Sequence, residues 1–390
     1  MIAYPALCPP CGVQYSMPEF LYIHIPFCAR KCIYCDFLSL PYDQDLARRY
    51  THALCRELEL KKTFATALTT VFVGGGTPTI LPDACLEQIF SVIRKNYALP
   101  PGAEVTVEAN PGTVTREKAD MLLSLGVNRI SLGVQTFSDA ELKILGRIHT
   151  AEDAITSAGI LQAAGLKNLS LDLMYGIPGQ TIETWKDSLS KANSLFPKHI
   201  SAYELTPEKG TQLKRMLDSE NLSMPGEELI LAMSAIVIDT LAEAGFQHYE
   251  ISNYALPGHH CIHNMNYWNR GEYLAAGAGA HAFLKGCRSR NTDSVMEYIR
   301  DLDDLRIPEA ESVPLSHGDG LREFIMLGLR KIEGIRLKDA DDLNLDLRTA
   351  AHELIEDGFT DIIGNRLRLT RKGLRVANTV IVKLQQNLKL

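Results

Sequence analysis

Short runs of apolar, often β-branched residues recur along this chain at intervals of roughly 25 to 50 positions, at 21–26, 70–74, 104–109, 129–134, 168–174 and 199–205. Between them, segments 50–61, 83–95, 116–125, 151–164 and 182–195 space their apolar residues with helical periodicity. Strand and helix in strict alternation predict serial βα units and a parallel sheet. The alternation alone fits a doubly wound open sheet as well as a barrel. What favours a barrel is the chemistry at the strand ends: the cysteine-rich segment 28–35, then Gly74, Gly75 and Gly76, then Glu108, Asn110, Gln135, Asp172 and Glu204. In a parallel barrel these ends converge on one mouth. The expectation is an α/β fold, a partial (β/α)6 TIM-like barrel over 18–215.

Past residue 224 a long helical stretch begins, and its apolar part, 230–238, ends at Asp239. It falls short of the roughly 20 residues that cross a bilayer and reads as a buried helix. An extended stretch with a turn follows (HYEISNYALPG, 248–258), then the polar-aromatic segment His263 to Trp268. From about Ser316 two helical runs, a hairpin-like IGNRLRLT (363–370) and a closing helix from Arg371 predict a small winged-helix-like module. Such modules often bind DNA; the acidic positions Asp339, Asp341 and Asp342 favour packing on the barrel instead. The expected divisions are an N-terminal extension of weak structural signal (1–17), the barrel (18–215), an extension (216–315) and the module (316–390).

Composition narrows the function classes. A net charge of -7 argues against a nucleic-acid partner, because phosphate binding needs concentrated Lys and Arg. The first twenty residues lack the basic and apolar regions of a secretory signal. A reducing cytoplasm is therefore expected, where nine cysteines act as thiols or metal ligands. No amphipathic anchor announces itself, although peripheral contact with a membrane stays open.

The sharpest motif is Cys28, Cys32 and Cys35, spaced C-x3-C-x2-C just after the first strand. Three thiolates in one loop can hold three corners of a [4Fe-4S] cubane and leave the fourth iron open. Structural zinc is the alternative, and Cys8 with Cys11 could complete a set of four, but Cys28, Cys32 and Cys35, at C-x3-C-x2-C, depart from paired C-x2-C units. Gly74, Gly75 and Gly76 end the second strand; without Cβ atoms they let a ligand touch backbone. A glycine triplet alone is most often a tight turn.

Taken together, YIHIPFCARKCIYCDF, VFVGGGTPT, VTVEANPGTV, RISLGVQTF, LGRIHT and LDLMYGIPGQ resemble, from about residue 18 to 335, the radical S-adenosylmethionine (SAM) branch that contains oxygen-independent coproporphyrinogen III dehydrogenase and the haem chaperones. The resemblance implies a [4Fe-4S] cluster on Cys28, Cys32 and Cys35 with SAM chelating its open iron, and reductive cleavage of a SAM C–S bond to a 5′-deoxyadenosyl radical. It places Tyr22 and Tyr34 beside SAM, and Gly75, Gly76 and Thr77 at the methionyl end. Glu108 would meet an amino group, Gln135 and Asp172 the ribose hydroxyls, Arg147 a carboxylate, and Thr206 the adenine. Without the resemblance, Glu108, Gln135 and Asp172 read as strand-end polar residues.

Two features separate the branches. Where the dehydrogenase carries a further cysteine two residues after the third, this chain has Phe37, as the haem chaperones do; it also carries their HNxxYW string at His263–Trp268. The resemblance thus implies haem as cargo, apo-haemoproteins such as respiratory cytochromes as acceptors, and compatibility with a homodimer. A porphyrinogen-converting enzyme, by oxidative decarboxylation or methyl transfer, is the second reading. His263 is the proposed haem residue, since imidazole ligates haem iron and neighbouring Tyr and Trp offer flat faces; a hydrogen-bonded structural histidine fits the residues equally well. His24 is expected to face inward beneath the cluster, and His259 and His260 to be incidental.

Overall fold

The computed structural model describes residues 17–390, so Cys8 and Cys11 lie outside the described residues. The chain forms two compact units. One takes the chain up to Ile230 together with Glu272–Pro314, the other Leu231–Gly271 with Leu315–Leu390. The segment expected as one extension, 216–315, is thereby divided between them.

In the first unit the apolar runs are strands β1 (Phe20–Ile25), β2 (Thr70–Gly75), β3 (Glu104–Ala109), β4 (Arg129–Gln135), β5 (Asn168–Tyr175) and β6 (His199–Glu204). They pair in parallel in chain order, from Phe20 against Thr70 to Tyr175 against Glu204. A short strand, β7 (Leu274–Ala276), joins in parallel on the free side of β1. Helices cover the strands' outer faces, so β4 is buried along its whole length and the strands read as continuous apolar runs. The helices α1 (Gln44–Lys61), α2 (Asp83–Asn96), α3 (Arg116–Ser124), α4 (Asp139–Ile144), α5 (Ala151–Ala163) and α6 (Ile182–Ser194) fill the crossovers. Thr115, Ser138, Thr150 and Thr181 cap four of them by accepting a backbone N–H, each cap contributing about 1 kcal/mol.

Besides the pairing of β7 with β1, a buried carboxylate ties residues 272–314 to this unit. Glu57 of α1 is fully buried, pairs with Lys61 at 2.6 Å, and accepts from the Gly277 N–H (2.7 Å), Asn291 Nδ2 (2.7 Å) and Tyr298 OH (2.5 Å). A charge without water persists because each acceptor position is filled.

In the second unit Leu321, Ile325, Leu329, Ile335, Leu367, Ile381 and Leu384 belong to one core. A three-stranded antiparallel sheet has Arg366–Leu369 between Ile335–Arg336 and Thr360–Ile363, which places a hairpin where IGNRLRLT predicts one. Gly334 (φ +71°) is required here, because a Cβ would stand 2.1 Å from the Leu367 carbonyl oxygen. The Arg270 guanidinium pairs with Glu323 at 3.0 Å, joining the unit's two stretches. The helix expected as buried over 230–238 runs from Glu227 to Glu243 and buries only Met233, Val237 and Leu241. That spacing is a single stripe, so the apolar run is one-sided.

Candidate functional site

The cysteine loop departs from β1 and is closed at its base. Phe27–Cys28 pairs in parallel with Leu40–Pro41, and the Tyr42 N–H donates to the Cys28 carbonyl at 2.9 Å. His24 on β1 reinforces the closure: its Nε2–H donates to the Leu38 carbonyl (2.9 Å) while Nδ1 accepts from the Tyr22 hydroxyl (3.0 Å). Burial lowers the His24 pKa, which suits this neutral form. The histidine is buried as expected and supports the loop rather than facing the cleft.

An open cleft of about 730 Å³ lies at the C-terminal ends of the strands. Cys28, Cys32, Cys35, Tyr34, Gly75, Gly76, Glu108, Gln135, Arg147 and Asp172 all line it, so ten of the expected residues meet on one wall system. Asn110, Ser131, Gly133, Tyr203 and Phe37 line it too.

A chain of hydrogen bonds joins two of the cysteines across the strand ends. Thr77 Oγ1 donates to Cys28 Sγ (3.6 Å) and accepts from Asn110 Nδ2 (2.7 Å). Asn110 Oδ1 in turn accepts from Arg147 Nη2 (2.6 Å), and Arg147 Nη1 donates to Cys32 Sγ (3.4 Å). Donors aimed at sulfur stabilise thiolate over thiol. Burial acts the other way, raising Cys28 and pushing Cys35 up to about 11. Metal binding at these thiols would therefore release protons.

Glycine allows the strands to approach. A Cβ on Gly76 would lie 2.5 Å from the Phe27 carbonyl oxygen and 2.9 Å from Cys28 Sγ. The acidic floor is built from Glu108 and Asp172. Burial, then the neighbouring Asp172, push Glu108 up to about 7, against the Gly75 N–H that donates to it at 3.0 Å. Burial also raises Asp172, opposed by Ser131 Oγ–H donating at 2.9 Å. Such a floor receives a cation or a set of hydroxyls well.

Gln135 adopts a left-handed backbone (φ +69°) where the β4–β5 register slips between Gly133 and Gln135. A non-glycine residue there costs on the order of 1–3 kcal/mol, a strain typical of ligand sites. Its Oε1 accepts from the Tyr203 hydroxyl at 2.7 Å.

Of the other expected residues, Thr77 is buried behind the wall and acts through Cys28. Tyr22 lies outside the cleft lining, and burial, then the charge of Glu108, raises its phenol pKa. Thr206 is exposed and outside the cleft, because the chain leaves β6 after Glu204 and buries Leu205 instead. His263, on the short helix Ile262–Trp268, is buried, with Nε2 and the Tyr267 hydroxyl sharing a hydrogen bond at 2.8 Å. Asn110 is marked in the sequence only by its strand-end position, and Ser131 and Tyr203 are not singled out there, although Ser131 falls within RISLGVQTF.

The donor set fits a three-cysteine cluster with an amino-acid ligand. Three thiols and two glycines that leave room share one cleft with a carboxylate pair. Arg147 Nε is buried without a hydrogen-bond partner, a donor position open to a carboxylate.

The profile of the radical SAM superfamily matches residues 22–192, and that of the HemN C-terminal domain matches residues 315–376. The heme chaperone HemW of Lactococcus lactis subsp. lactis is 35% identical over 378 residues, covering 94% of this chain and 97% of that protein. HemW of Bacillus subtilis is 35% identical over 369 residues (92% and 97%), and HemW of Escherichia coli 36% over 332 (81% and 83%). Among solved structures, coproporphyrinogen III oxidase (HemN) of Escherichia coli superposes with a TM-score of 0.82 over 95% of this chain and 91% of that one, at 21% identity, which establishes the shared fold. With relatives of this identity along nearly its whole length, the chain belongs to the HemW family of radical SAM proteins.

Proposed function

We propose that this chain is a haem chaperone, holding a [4Fe-4S] cluster and SAM at the barrel mouth and passing haem to apo-haemoproteins such as respiratory cytochromes. The observation that carries the reading is similarity, over more than nine-tenths of the chain, to proteins named heme chaperone HemW. Phe37 and the HNMNYW string support it.

In this reading Cys28, Cys32 and Cys35 ligate the cluster, which supplies an open iron and one-electron chemistry. Gly75 and Gly76 give backbone access at the methionyl end. Glu108 receives the amino group, Arg147 Nε the carboxylate, and Gln135 and Asp172 the ribose. Tyr34 closes the wall beside them, and Thr77 and Arg147 hold the sulfurs in place. His263 would offer Nε2 to haem only after its bond to Tyr267 opens, because that nitrogen is already taken. Residues 18–215 serve as the SAM-binding body, 216–315 as the extension bearing His263, and 316–390 as the winged module; the site of action is the cytoplasm, with membrane contact at acceptor enzymes and a homodimer compatible with it.

Anaerobic protein with reconstituted cluster, given coproporphyrinogen III, SAM and reductant, should yield no protoporphyrinogen IX at catalytic turnover, whereas haem-loaded protein should transfer haem to an apo-cytochrome. Turnover would establish the decarboxylating enzyme instead.

A further inference from the structure

A second open hollow, of about 800 Å³, shares Lys31, Cys32 and Cys35 with the cluster cleft and continues over Asp36, Lys209 and Arg215. Three cations thus face one carboxylate. Lys31 and Arg215 donate to backbone carbonyls, of Phe37 and Gly210, each at 2.9 Å, and among the described residues neither they nor Lys209 has a carboxylate partner. The adjacent Lys214, by contrast, is paired with Asp218 at 2.6 Å. Unpaired cations around a concave surface, in a chain of net charge -7, mark a place for an anion.

Phe37 defines that anion further. Its side chain lines the cluster cleft and the residue is 61% exposed, while its carbonyl is held by Lys31 Nζ. A large apolar ring left in water beside Lys31, the cation that the cleft shares with the hollow of Lys209 and Arg215, complements a flat apolar molecule with carboxylates along one edge. Haem has that form, with two propionates on one side of the macrocycle. The imidazole of His263, buried and bonded to Tyr267, supplies no comparable anion site.

We infer that Lys31, Lys209 and Arg215 hold the propionates of haem while Phe37 supports the face of the macrocycle, so that the cargo sits beside the cysteine loop. This rests on the haem-chaperone reading, takes the place of the His263 contact within it, and adds a seat and a polarity: carboxylates toward the hollow, ring over Phe37.

Ferric haem and its dimethyl ester are titrated into the full-length, cluster-loaded protein and into a Lys209→Ala/Arg215→Ala double variant. These two residues line the second hollow alone, whereas Lys31 also walls the cluster cleft. The wild type should bind haem about tenfold more tightly than the ester at low salt, with the margin shrinking near about 0.5 M salt. In the double variant the margin should vanish while cluster absorbance and circular dichroism stay as in the wild type. Phe37→Ala should weaken both ligands alike. A double variant with wild-type preference for haem, or a wild type that treats haem and ester equally, overturns the assignment while leaving the chaperone reading standing. A wild type that binds neither removes the chaperone reading as well. Intact haem discrimination combined with lost cluster reduction by a small acidic electron-transfer protein would overturn the assignment in favour of a protein-docking surface.

Discussion

Asn110 is the residue whose importance least matches its signal in the sequence. It accepts from Arg147 and donates to Thr77, so the groups that donate to Cys28 and Cys32 sulfur are held by one amide. Asn110→Ala should cost about 1–3 kcal/mol, through partners left short of a bond, and should weaken the spectral response of the cluster to SAM. Thermal melting together with a SAM titration would show it; unchanged values in both would remove Asn110 from the site. Glu108 makes a pH prediction. Its ordinary value near 4.5 rises to about 7 in the fold, so the folded state binds the extra proton between those values. Stability from this group is therefore greatest at low pH and falls as pH rises through about 7, and Glu108→Gln should flatten that part of the stability curve. Ligand affinity runs the other way: an amino group that pairs with the carboxylate binds better as pH rises through 7. A pH series of SAM titrations in both proteins checks the sign.

At the scale of elements, the closure of 272–314 onto α1 depends on Glu57. Glu57→Ala leaves Asn291, Tyr298 and the Gly277 N–H without their shared acceptor and Lys61 without its counter-ion. A loss of about 3–5 kcal/mol is expected, visible as a lower denaturation midpoint in urea; a midpoint within error of the wild type would refute the role. The strands and main crossover helices were legible beforehand because they are long, periodic and buried. Helix α4 and strand β7 were not. Six residues are too few for a periodic signal, and Leu274–Ala276 lies in a run of Ala and Gly whose strand state comes from pairing with β1.

For the whole molecule, cluster loading and folding are coupled. Burial raises the Cys28 and Cys35 thiols, so binding a cluster there would release protons, and its binding free energy would add to stability. Cluster-loaded protein should melt above the cluster-free form, and Cys28→Ala, Cys32→Ala or Cys35→Ala should each abolish both the visible cluster absorbance and that difference. Retention of the absorbance in all three variants would end the argument for the triad. Among the described residues no helix is long and apolar enough to cross a membrane.

What the sequence determined by itself was local or periodic: the βα alternation, the three-cysteine spacing and the motifs at strand ends. These are read from neighbours a few positions apart, where chain geometry leaves little choice. Tertiary structure alone decided the rest. The Thr77–Asn110–Arg147 chain spans two strand ends and the turn after α4, and Thr206 is left out of the cleft by where the chain turns after β6. The partition of 216–315 between two units, and the meeting of Lys31 with Lys209 and Arg215, join residues far apart along the chain. Such placements follow from how packed elements bring distant positions together, and no spacing along the chain records them.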